Sequence, residues 1–116
     1  TRDHSYVEEM VAMGRMDRGS EYYNSHKNII TRAMGIERAV EADFFEAELH
    51  PGDYFLLCSD GLTNMVDDET ICRIVTGGGS LKDKAARLIG EANRQGGVDN
   101  IAVVLVRPEE GGGAVC

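Results

Sequence analysis

A mixed α+β fold is predicted from three observations. Two short, continuously apolar runs, residues 54–58 and 101–106, have the composition of strands, the second being mostly β-branched. Between them, residues 68–75 and 81–93 carry helical periodicity and begin with residues that suit a helix start. The chain has 116 residues, 42% of them hydrophobic, which is one domain's worth of chain or part of one.

At the start of the chain, Ser5 and Glu8 stand at capping-box spacing ahead of apolar Val7, Met10 and Val11, predicting a helix over 6–13 ended by Gly14. Asp3 and His4 read as residues that tie down this helix start. Residues 15–28 show neither a period of two nor one of 3.6 and predict a polar loop, with His26 as a surface histidine. Val40, Ala42 and Phe44 alternate, then Phe45, Ala47 and Leu49 alternate in the opposite phase. This predicts a bulged strand over 40–49, with a helix as the competing reading of so Glu- and Ala-rich a stretch. His50-Pro51-Gly52-Asp53 is a turn.

The strand over 53–58 is expected to be covered on both faces, making Cys58 an inert small hydrophobe. Asp67, Asp68 and Glu69 place negative charge at the start of the 68–75 helix, whose apolar stripe is Ile71, Ile74 and Val75. Gly77, Gly78 and Gly79 break it, and this run lacks the Lys-Ser/Thr that closes a phosphate loop. Ser80 with Asp83 is a second capping box, and Leu81, Ala85, Leu88, Ile89 and Ala92 share one face of the 81–93 helix. Residues 101–106 are expected as a central strand buried on both sides, and 108–116 as a flexible tail. Met10, Met13, Met16 and Met34 are expected to pack.

Composition excludes several functions. Twelve Lys and Arg against twenty Asp and Glu give a net charge of −8, leaving no basic stripe for nucleic acid or an anionic membrane. No apolar run approaches the roughly 18 residues of a membrane span, and no leader is recognised. Cys58, Cys72 and Cys116 are odd in number and lack Cys-x-x-Cys spacing, arguing against a disulfide framework or a zinc site and for a reducing cytoplasm.

The chemistry concentrates at two acidic residues. Asp60 follows one predicted strand and Asp99 precedes another, so antiparallel strands, in one sheet or in facing sheets, would bring both carboxylates to one edge. Two such carboxylates repel unless a cation lies between them, and oxygen donors without nearby Cys or closely spaced His favour Mg²⁺ or Mn²⁺ over zinc. Taken singly, Ser-Asp-Gly and Gly-Gly-Val-Asp-Asn are also ordinary turn sequences.

Four segments add context: Thr1-Arg-Asp-His-Ser5, Asn28-Ile-Ile-Thr-Arg-Ala-Met-Gly35, Pro51-Gly-Asp-Tyr-Phe-Leu-Leu-Cys-Ser-Asp-Gly-Leu62 and Gly96-Gly-Val-Asp-Asn-Ile-Ala-Val-Val104. In this order, and over nearly all the chain to Arg107, they resemble the C-terminal half of the bacterial protein phosphatase 2C domain. The resemblance implies that residues 1–107 form about half of a helix-flanked β-sandwich, with 15–28 as a flap-like loop. It implies a binuclear Mn²⁺ or Mg²⁺ site at one edge, where a metal-activated water attacks phosphoserine and phosphothreonine in proteins without a phosphoenzyme. Asp60 and Asp99 match metal ligands, while Gly61, Asn100 and Arg32 are candidates to support the site or meet substrate. For Arg32, pairing with an acidic residue is the duller alternative.

The implied partners are phosphoproteins, such as the substrates of a bacterial Ser/Thr kinase in signal transduction, and an N-terminal half that carries the remaining metal motifs and the phosphate-binding arginine. Those motifs are not among these residues, so the sequence reads as a fragment, expected to self-associate. The alternative is a non-catalytic interaction domain, against which stand the carboxylates kept at both positions beside Asn100.

Overall fold

The computed structural model describes residues 1–108 and divides into two units, the first being Thr1–Glu46 and the second beginning at Ala47. In the first unit, α1 spans Tyr6–Ala12 and starts as its sequence requires, the Ser5 hydroxyl accepting from the Glu8 backbone N–H at 3.4 Å. The returning arm of the capping box is not made. The Glu8 carboxylate instead accepts from Arg18 at 2.6 Å and from the Tyr23 hydroxyl at 2.5 Å. Asp3 and His4 do not cap the helix, and His4 Nε2 lies 2.7 Å from Asp43 Oδ2. The chain leaves α1 through Gly14, whose φ of 68° suits glycine.

The expected loop over 15–28 contains a helix, α2, at Glu21–His26. It buries no residue, so it has no apolar stripe to show in the sequence. It is held by the Ser20 hydroxyl, which accepts from the Tyr23 N–H at 3.1 Å, and by the Tyr23–Glu8 bond. His26 stacks on Tyr22 with ring centroids 4.0 Å apart.

The strand expected over 40–49 is not formed. Strand backbone needs a neighbour's donors and acceptors, and no described segment pairs with this one, so Val40, Phe44, Phe45 and Leu49 stand exposed. Met13 and Met34 are exposed as well, contrary to the packing role expected of them.

In the second unit, Pro51 and Gly52 (φ 91°) occupy the two central positions of the turn, which closes with the Asp53 N–H donating to the His50 carbonyl at 3.0 Å. The turn leads into β1, Phe55–Cys58, which pairs antiparallel with β2, Val103–Val106, in the register Phe55 to Val106 and Cys58 to Val103. After β1 come three helices: α3 at Asp60–Thr63, α4 at Asp68–Thr76 and α5 at Leu81–Arg94. The Asp67 carboxylate caps α4, accepting from the Thr70 N–H at 2.7 Å, and both arms of the Ser80–Asp83 capping box on α5 are made.

Leu62, Val66, Ile71, Val75, Leu88 and Ala92 form the core, with Leu56, Val103 and Leu105 of the sheet packed on it. Lys84 is buried on α5 among these apolar positions, while Leu81 is exposed. The expectation of strands covered on both faces is corrected. Helices cover one face only, and on the other Leu57 is 60% and Val104 57% exposed. Cys58 is likewise exposed rather than buried, as is Cys72 on α4. Among the described residues, no helix is long and apolar enough to cross a membrane. The expected tail beyond residue 108, with Cys116, lies outside the described residues.

Candidate functional site

Where β1 ends, its last hydrogen bonds are made by Ser59. Its backbone N–H donates to the Ala102 carbonyl at 3.0 Å, its hydroxyl donates to the Asn100 carbonyl at 3.0 Å, and the same oxygen accepts from the Ala102 N–H at 3.0 Å. This clasp joins the exit of β1 to the residues leading into β2. The Ser59 side chain, engaged across the ladder, makes no cap bond to α3 although it holds the N-cap position.

Gly61 draws the two segments closer still. A Cβ built on it would fall 2.2 Å from the Asn100 carbonyl oxygen and 3.0 Å from the carbonyl carbon, contacts that only glycine avoids. Asp60 is therefore held between a clasped Ser59 and a Gly61 seated on Asn100, and Asp99 adjoins the same Asn100. Antiparallel pairing in one sheet thus brings the backbone on either side of Asp60 beside Asn100.

Asp60, Asp99 and Asn100 are exposed, and Asp99 Oδ1 accepts from the Asn100 N–H at 2.7 Å. Carboxylate and carboxamide oxygens are hard donors, the type suited to Mg²⁺ or Mn²⁺. Among the described residues no group of three or more His, Cys, Asp or Glu side chains is placed to hold an ion. Asp60 and Asp99 by themselves are thus no more than two of the donors that a coordination shell requires. Arg32 lies in the first unit, where its guanidinium donates to Asp43 at 2.9 Å and to the Glu41 carbonyl at 3.1 Å. These contacts correspond to the duller of its two sequence readings. Ser59 was missed by sequence reasoning, because a serine between a strand and an aspartate has no signature apart from its partner 41 residues away.

No protein-family model matches the chain. It is 43% identical over 110 residues to protein phosphatase PhpP of Streptococcus pneumoniae, covering 95% of this chain and 45% of the relative. Its fold matches the serine/threonine phosphatase of S. agalactiae with a TM-score of 0.85 at 42% identity, covering 90% of this chain and 43% of the other. It also matches the catalytic domain of the phosphatase PstP in complex with two manganese ions, with a TM-score of 0.72 at 39% identity. In sequence and in fold the chain is therefore similar to part of the α+β domain of bacterial serine/threonine phosphatases, and it is also 40% identical over 109 residues to a putative protein phosphatase 2C-type of Streptococcus pyogenes, covering 94% of this chain and 44% of the relative. The chain spans less than half the length of the relatives it matches.

Proposed function

We propose that these residues contribute one edge of a metal-dependent phosphatase site that hydrolyses phosphoserine and phosphothreonine in proteins, completed by the rest of a domain about twice as long. The observation that carries this reading is the Ser59–Gly61 clasp, which presents Asp60 and Asp99 from adjoining backbone. Bound Mn²⁺ or Mg²⁺ would neutralise phosphate charge and lower the pKa of water for direct attack on phosphorus, meeting the large barrier of phosphate-monoester hydrolysis. Asp60 and Asp99 would hold the metal, Ser59 and Gly61 would keep their backbones in register, and Asn100, next to Asp99, would serve as a neutral donor. Phosphorylated proteins are the proposed substrates and the cytoplasm the proposed compartment.

The test uses the complete domain and a phosphothreonine peptide with Mn²⁺ or Mg²⁺. Asp60→Asn and Asp99→Asn each remove a charge at nearly constant volume and should lower kcat/KM at limiting metal by at least about tenfold, the scale seen when groups supporting a metal site are lost. Turnover equal to wild type in both variants would refute the assignment. The 116 residues alone should show negligible turnover, since two carboxylates are too few to hold the hydrated ions tightly.

A further inference from the structure

At the opposite end of the two-stranded sheet from Asp60 and Asp99, the second unit gathers positive charge. Tyr54 precedes β1 and Arg107 follows β2, so antiparallel pairing puts them together, with the four-residue ladder between them and the acidic end. At about 3.3 Å per residue that ladder separates the two ends by on the order of 13 Å. A groove of about 610 Å³ opens there, lined by Tyr54, Ser80, Lys84 and Arg107 among others.

Two cations share one aromatic ring. The Lys84 ammonium lies 4.4 Å and the Arg107 guanidinium 5.5 Å from the Tyr54 ring centroid. Lys84 is only 3% exposed, and its Nζ donates to the Tyr54 hydroxyl at 2.9 Å and to the Val75 carbonyl at 2.7 Å. The Val75 bond satisfies a carbonyl in the last turn of α4 and accounts for one N–H. It does not account for the second cation. In a chain with twenty acidic and twelve basic residues, neither Lys84 nor Arg107 forms an ion pair with a carboxylate among the described residues. The carboxylate that precedes Lys84 in the first turn of α5, Asp83, is turned back on Ser80, accepting from its hydroxyl at 2.7 Å and its N–H at 3.2 Å. A buried ammonium with an N–H to spare, a guanidinium fork and an open groove constitute the chemistry that recognises a multiply charged oxyanion.

We propose that this groove is a phosphate-binding site, separate from the Asp60–Asp99 edge, with Arg107 and Lys84 as its charged donors. The phosphate could be free or carried on a phosphorylated side chain, and the site stands whether or not the chain contributes to hydrolysis. The Tyr54 hydroxyl, whose pKa is lowered chiefly by the Lys84 hydrogen bond, holds the ammonium at the groove wall.

The experiment is an amide NMR titration of the metal-free chain with inorganic phosphate, with phosphothreonine and, as a carboxylate control, with glutamate. Phosphate should shift the Tyr54, Ser80, Lys84 and Arg107 amides together with one saturable affinity, and glutamate should bind at least about fivefold more weakly. Arg107→Gln, at an exposed position where folding is not at stake, should weaken phosphate at least about fivefold. Stronger binding of phosphothreonine than of inorganic phosphate would identify a phosphorylated side chain as the better occupant; the reverse would identify free phosphate. Absent shifts at these amides, equal response to glutamate, or unchanged affinity in Arg107→Gln would each overturn the proposal.

Discussion

Gly61 is the residue on which the acidic edge most depends, and it illustrates how a small side chain can govern a site without touching a ligand. Replacing it by Ala drives a methyl into the Asn100 carbonyl 2.2 Å away, a backbone obstacle that no rotamer change relieves. We expect Gly61→Ala to destabilise the chain by about 1–3 kcal/mol, the usual range for overpacking. Gly90→Ala, within α5 and with nothing inside 4 Å of the added carbon, should gain up to about 1 kcal/mol from better helix propensity. Thermal denaturation of the two variants checks the contrast, and a Gly61→Ala protein as stable as wild type would show that Gly61 does not set the approach.

A second residue-scale prediction concerns Glu8. Its carboxyl is lowered from 4.5 to about 2, first by the Arg18 hydrogen bond and then by that of Tyr23. A depressed acid stabilises the fold above its unfolded pKa, and that contribution is lost as pH falls from about 4.5 through about 2. The α1–α2 pairing should therefore loosen in this window. Glu8→Gln should flatten the acid limb of the stability curve, and an unchanged acid transition in that variant would contradict the role given to Glu8.

At the scale of elements, what the sequence revealed and what it concealed divide along one physical line. Helices α4 and α5 were legible because their starts are local: the carboxylate of Asp67 and the Ser80–Asp83 pair act within one turn. The two strands were legible as apolar runs, whereas the antiparallel pairing that puts residues 60 and 99 at the same end of the sheet stood in the sequence only as a condition. How many faces are covered was not legible, because a run such as 103–106 is equally apolar whether one face or both are buried. Residues 40–49 have strand-like alternation, yet a strand exists only with a partner. The Ser59 clasp was hidden for the same reason, since its bonds join residues more than 40 positions apart.

The outer face of the sheet has its own consequence. Leu57, Val104 and Val106 are 60%, 57% and 45% exposed, an apolar surface on strands whose outer edges are unpaired among the described residues. The isolated chain should self-associate with rising concentration, and Val104→Lys should shift it towards monomer in light scattering. A wild-type chain that stays monomeric throughout would remove the sheet face as an association surface.

For the whole molecule, the central proposal is that Asp60 and Asp99 act on one shared metal centre within the complete domain of which these residues are a part. The motifs nominate both positions in the sequence, and the ladder register and the clasp bring their backbone segments together. Groups that share an ion do not act independently, so their substitutions should be strongly non-additive. The most direct measurement is calorimetric Mn²⁺ titration of the complete domain as wild type, Asp60→Asn, Asp99→Asn and the double variant. We predict that each single change weakens Mn²⁺ at least about tenfold and that the double variant is little worse than either single one. Independent, multiplying losses, or unchanged affinity in either single variant, would contradict a shared centre.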